Sequence, residues 1–147
     1  MQYLVDTNVL LRFADRNHPL HPVVRAAVRT LRWRGDRLRA TGQNFVEFWN
    51  VATRPALRNG FGLTPGDADK QLQILERIFP LLPDSPAMYP EWRRLVVTFQ
   101  VSGVQVHDAR LVAAMQTHGV THILTSNTTD FVRYGPEGIV AVDPASV

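Results

Sequence analysis

The sequence predicts a single α/β domain, residues 1–147, built on a mainly parallel sheet. Three observations carry that expectation. Short apolar, β-branched runs alternate with segments of helical periodicity, the pattern of β-α-β units. The first run, Gln2-Tyr3-Leu4-Val5, passes directly into Asp6-Thr7-Asn8, a strand end followed by helix-starting residues. No internal repeat, low-complexity tract or long linker divides the 147 residues, a length that buries roughly 70% of its unfolded surface in one domain.

The elements follow in order. Residues 2–6 read as a buried strand, with Asp6 placed to cap a helix starting near Val9. Pro22 opens a helix to about Arg34, with Val24, Ala27, Val28 and Leu31 as its apolar stripe and Gly35 as its stop. Leu38 to Thr41 is a short strand. A helix from about Gln43 to Thr53 buries Phe45, Phe48, Trp49 and Ala52, and Pro55 disfavours helical geometry at Arg54. Thr64 caps the next helix, Pro65 fits its first turn and Asp67 suits the positive end of its dipole. Leu72, Leu75, Ile78 and Phe79 mark its buried side. Leu81-Leu82 is a short strand, residues 86–102 and 107–118 are helical, and 120–125 and 138–142 are strands. The order of strands in the sheet does not follow from this pattern.

Composition removes several classes of function. With zero cysteines, disulfides, zinc-thiolate clusters and thiol nucleophiles are excluded. No apolar stretch approaches the ~20 residues that span a bilayer. Residues 1–11 lack the basic start and small-residue cleavage site of a secretory leader, so a cytoplasmic location is expected. The net charge is +3, and fifteen of the sixteen Lys and Arg residues are arginine. Eight of these lie between positions 12 and 39. Arg25, Arg29 and Arg32 share one helix face, a stripe suited to nucleic acid or to an acidic protein surface, and equally to plain solvation.

Four acids stand where chemistry is expected. In open α/β sheets ligands bind beside the carboxyl ends of the strands. Asp6 ends the first strand, where the alternative role is helix capping. Glu47 lies inside an aromatic helix, with Asn44 and Arg54 near the same face; alone it reads as a surface acid. Asp108 opens a helix, a position the dipole favours on stability grounds alone; its neighbour His107 is read as structural. Asp130 closes the loop Thr125-Ser126-Asn127-Thr128-Thr129, rich in hydroxyls and amides after another strand. A parallel sheet can gather such groups into one crevice, where they repel unless a dication intervenes. Mg²⁺ and Mn²⁺ prefer oxygen ligands, and either ion can activate water and offset phosphodiester charge, alone or as a pair ~3.5–4 Å apart.

Four segments in this order resemble one known family: Leu4-Val5-Asp6-Thr7-Asn8-Val9-Leu10, Gln43 to Pro55 around Glu47, His107-Asp108-Ala109-Arg110-Leu111-Val112-Ala113-Ala114, and Leu124 to Phe131. Across essentially its whole length the chain resembles a PIN-domain ribonuclease, most closely the VapC-like toxin of a VapBC-type toxin–antitoxin pair. The resemblance implies a three-layer α/β/α sandwich with a mainly parallel central sheet. It implies an acidic metal site of Asp6, Glu47 and Asp108. Asn127 stands where the commonest pattern has an Asp, and Asp130 is expected to supply the missing charge. Mg²⁺- or Mn²⁺-dependent RNA cleavage, a homodimer and inhibition by a cognate antitoxin are also implied.

The expected activity is therefore endoribonuclease action by in-line attack of metal-activated water. Asp6 and Asp108 hold the ion, Glu47 binds or orients it, and Asp130 completes the shell. Thr7, Asn8, Thr125 and Asn127 orient ligands or the scissile phosphate, and Arg54 contacts RNA or antitoxin. Two other readings remain. One is a catalytically weak protein that only binds RNA or antitoxin. The other is a phosphatase with Asp6 as nucleophile, disfavoured because haloacid-dehalogenase-like folds place a second acid where this chain has Asn8. No compact base-reading module is evident, and Trp33, Trp49 and Phe61 are more readily core or dimer-contact residues than stacking ones.

Overall fold

The computed structural model describes all 147 residues. Strands β1 (Gln2–Val5), β2 (Arg37–Thr41), β3 (Leu81–Leu82), β4 (His122–Leu124) and β5 (Val140–Val142) form one sheet in the order β3-β2-β1-β4-β5. Every pairing is parallel. The helices are α1 (Thr7–Ala14), α2 (His21–Trp33), α3 (Gly42–Thr53), α4 (Pro65–Ile78), α5 (Met88–Thr98) and α6 (Val106–Thr117). Short 3₁₀ turns occupy Ala56–Arg58, Gly103–Gln105, Thr128–Glu137 and Pro144–Ser146.

Strand periodicity splits the core in two. Successive residues of a strand point to opposite faces. Tyr3, Val5, Leu38, Ala40 and Leu124 therefore join one apolar cluster with residues of α1, α2, α3 and α4. Leu4, Leu82 and Ile123 join the other, with Leu95 of α5 and Leu111, Val112 and Met115 of α6. Helices thus cover both faces, giving the three layers expected. No helix is long and apolar enough to cross a membrane.

The sheet order positions the site. From β1 the chain builds outward to β2 and β3, then crosses back to lay β4 and β5 on the other side. The reversal opens a crevice at the carboxyl ends of β1 and β4, where such sheets bind ligands. Asp6 and Thr125 are the first residues beyond those two strands. The Asp6 N–H donates to the Leu124 carbonyl at 3.0 Å, holding the two strand exits side by side.

Expected and observed boundaries differ where the backbone turns left-handed. Strand β4 starts at His122 rather than Val120, because Gly119 (φ +65°) ends the preceding helix and the Val120 N–H still donates to Met115. Helix α5 stops at Thr98 rather than 102, and Gln100 adopts φ +49° just beyond it. Gly138 (φ +78°) delays β5 to Val140. The loop after β4 is itself ordered as a 3₁₀ turn that buries Phe131 and Tyr134.

Candidate active site

Asp6 combines the two roles that the sequence left as alternatives. It caps α1, Oδ1 accepting from the Thr7 N–H at 2.7 Å. Its Oδ2 accepts from Asn8 Nδ2 at 2.7 Å and from the Thr125 hydroxyl at 2.7 Å. Asn8 Nδ2 also reaches Thr125 at 3.2 Å, and Asn8 Oδ1 accepts from the Ser126 N–H at 3.1 Å. Burial pushes the Asp6 carboxyl above the ordinary carboxylate range, with the charge of Glu47 adding to the rise; the donors Thr125, Thr7 and Asn8 oppose it.

Glu47 is aimed by a second, buried network. Thr41 caps α3, accepting from the Asn44 N–H, while the Asn44 side-chain oxygen accepts from both the Thr41 N–H (2.9 Å) and the Thr41 hydroxyl (2.7 Å). The Asn44 amide then donates to Thr7 Oγ1 at 3.1 Å, and that hydroxyl donates to Glu47 Oε2 at 2.6 Å. Glu47 Oε1 accepts from Gln43 Nε2 at 3.0 Å. Thr7 therefore links the first strand's exit to the helix carrying the second acid.

Asp108 sits half-buried in the first turn of α6. Its carboxyl is pushed up to about 6, first by burial, then by the negative charges of Asp6, Asp130 and Glu47; the neighbouring His107 opposes the rise. All four predicted acids therefore share one electrostatic field. None of them forms an ion pair with Lys, Arg or His. Asn127 joins through its backbone, its N–H donating to Thr125 Oγ1 at 3.0 Å, and the residue is exposed. Arg54 caps the end of α3 and donates through Nη2 to the Asn59 carbonyl at 3.2 Å. The loop it holds passes so close that a Cβ on Gly60 would lie 1.9 Å from the Arg54 carbonyl oxygen.

The donor chemistry fits a hard dication: carboxylate oxygens flanked by hydroxyl and amide groups, with no sulfur and no cationic partner. No three His, Asp or Glu side chains are drawn together as a finished cage. Asp6 and Glu47 satisfy their oxygens with Thr, Asn and Gln donors. Thr41, Asn44 and Gln43 were not singled out as site residues from the sequence. The spacing of Thr41 and Asn44 was the available signal, since a cap residue followed three positions later by a polar side chain suits a reciprocal capping box.

Fold and site together define an α/β domain with an acidic crevice at the switch point of a parallel sheet. The chain belongs to the PIN domain family, which it matches over residues 3–135. No curated protein matches it significantly in sequence. Its fold is similar to that in the structure of VapBC-1 from nontypeable Haemophilus influenzae (TM-score 0.72, 16% identity, 98% of each chain covered). It is also similar to that of VapBC2 from Rickettsia felis bound to a promoter DNA fragment (TM-score 0.71, 10% identity, 97% of this chain and 98% of the other). A third likeness is to FitAcB from Neisseria gonorrhoeae (TM-score 0.61, 20% identity, 100% of each chain).

Proposed function

We propose that the protein is a Mg²⁺- or Mn²⁺-dependent endoribonuclease, the VapC-like toxin of a type II toxin–antitoxin system acting in the cytoplasm as a homodimer. The observation that carries this reading is the network that joins Asp6 to Thr125 and, through Thr7, to Glu47, with Asp108 close enough for the charges of Asp6, Asp130 and Glu47 to push its carboxyl up. Membership of the PIN family supports a nuclease, and the similarity to the VapBC and FitAcB structures supports a cognate antitoxin as partner.

Asp6 and Asp108 are the proposed principal ligands, with Glu47 and Asp130 completing the set. When bound, the ion supplies Lewis acidity and neutralises charge at the phosphodiester. The chain's own groups orient the site. Asn8 and Thr125 hold Asp6 Oδ2, and Thr7 holds Glu47 Oε2. Thr7, Asn8, Thr125 and Asn127 are the proposed groups that orient ligands or the scissile phosphate, and Arg54 is a proposed contact to RNA or antitoxin. A nucleophilic role for Asp6 is disfavoured, because Asn8 stands where haloacid-dehalogenase-like folds place a second acid.

Cleavage mapping on total RNA tests the proposal. The wild type is expected to give discrete products with Mg²⁺ or Mn²⁺ and none with chelator. Asp6→Asn and Asp108→Asn, folded by circular dichroism, are expected to lose at least about 100-fold in rate. Retained metal-dependent turnover in both variants would defeat the assignment. Asn127, standing where the commonest family pattern has an Asp, together with the arginines, favours as a second reading a protein that binds RNA without cutting it. Tight RNA binding by metal-recharged protein without products would select that reading.

A further inference from the structure

We propose that a cavity beside the acidic cluster is a nucleobase subsite, in which Tyr89 and Trp92 stack an unpaired RNA base flanking the scissile phosphate. The proposal deepens the nuclease reading and rests on it for the identity of the ligand.

The cavity, of about 490 Å³, is lined by Tyr89, Trp92 and Val106 on its apolar side and by Asp84, His107 and Arg110 on its polar side. The Tyr89 and Trp92 rings stack on each other, centroids 5.8 Å apart and planes 30° apart. Trp92 is fixed by its Nε1–H, which donates to the Val106 carbonyl at 2.9 Å, whereas Tyr89 is 67% exposed. A large aromatic left open on a rigid support is an unfilled stacking surface.

A chain of hydrogen bonds joins the cavity rim to Glu47. Arg110 donates through Nη2 to Asp84 at 3.2 Å and through Nη1 to Gln43 Oε1 at 3.0 Å. Gln43 Nε2 in turn donates to Glu47 Oε1 at 3.0 Å and to the His107 carbonyl at 2.9 Å. His107 directly precedes Asp108. On this proposal a strand whose phosphate lies at the acids extends a neighbouring base over that rim toward the aromatic pair. Unpaired bases are recognised by stacking on aromatic rings and guanidinium planes, with hydrogen bonds to their edges. Beyond these bonds each Arg110 Nη keeps a second N–H and Asp84 keeps Oδ1 as an acceptor, so the rim offers a base edge both a donor and an acceptor that an apolar peptide side chain could not engage.

The test separates the subsite from catalysis by measuring binding in chelator at low salt. Fluorescence anisotropy would compare labelled oligoadenylate with the same ribose-phosphate backbone carrying abasic positions. Wild type is expected to bind the intact strand about 10-fold more tightly or better. Tyr89→Ala is expected to abolish that preference, and Tyr89→Phe to keep it. Equal binding of the two strands by wild type, or a preference that survives Tyr89→Ala, overturns the subsite. A wild type that ignores the bases while Tyr89→Ala weakens capture of an apolar peptide also overturns it, in favour of a protein segment. Failure of the nuclease reading would show separately, as wild-type protein that binds but forms no products with Mg²⁺ or Mn²⁺.

Discussion

At the scale of single residues, Asp108 links the stability of the protein to its proposed ion. Its carboxyl titrates near 6 in the fold, above its value in the unfolded chain, so protonation favours folding. The stabilisation from this group is complete at pH values below the ordinary carboxylate range and is lost as pH rises through about 6. A dication needs the ionised form, so its effect has the opposite pH dependence. Thermal melts of chelator-treated protein are expected to fall as pH rises from the ordinary carboxylate value of 3.8 to about 6, more steeply for wild type than for Asp108→Asn. Added Mn²⁺ should raise the melting temperature more at pH 7 than at pH 5. Identical profiles for the two proteins would contradict the assignment. Asp6 and Asp108 stand out in the sequence because one ends a strand and the other opens a helix, whereas Glu47, inside α3, is singled out only by the family resemblance. The buried Thr41–Asn44–Thr7 relay was not legible, because a hydroxyl and an amide become a support for Glu47 only once α3 packs beside the exit of β1.

At the scale of elements, α3 is the part whose start matters most. The reciprocal Thr41–Asn44 cap satisfies the first turn and sets the helix rotation that turns Glu47 toward Thr7. Asn44 is fully buried, so Asn44→Ala leaves the Thr41 N–H and the Thr41 hydroxyl without their acceptor and removes the amide that donates to Thr7 Oγ1. It is expected to cost about 1–3 kcal/mol, read as a lower urea midpoint with unchanged slope. A shift within measurement error would show that the network is incidental. Helix and strand positions were largely readable, since caps such as Thr64 and stops such as Gly35 act locally. The 3₁₀ turn at Thr128–Glu137 was hidden, because its Thr, Asp, Gly and Pro suit any loop and its order comes from burying Phe131 and Tyr134.

At the scale of the whole molecule, the sheet order decides which residues meet. Parallel strands buried on both faces carry the same apolar signature wherever they lie, so the order β3-β2-β1-β4-β5 was closed to sequence reasoning. That order puts Asp6 beside Thr125 and leaves Tyr89 and Trp92 next to Arg110 through the packing of α5 on α6. Neither aromatic was considered beforehand; of the three that were, Trp49 and Phe61 pack against the core and Trp33 projects 86% exposed from the end of α2. The arginines Arg25, Arg29 and Arg32 are all exposed along α2, as their spacing predicted. The central claim is that one crevice gathers these acids around a hard cation. Calorimetric titration of Mn²⁺ into wild type, Asp6→Asn, Asp108→Asn and the outlying control Glu76→Gln tests it most directly. The account predicts a wild-type site that Glu76→Gln preserves and that each Asp substitution weakens by about 10-fold or more. No Mn²⁺ binding by wild type, or isotherms unchanged in Asp6→Asn and Asp108→Asn, would contradict it.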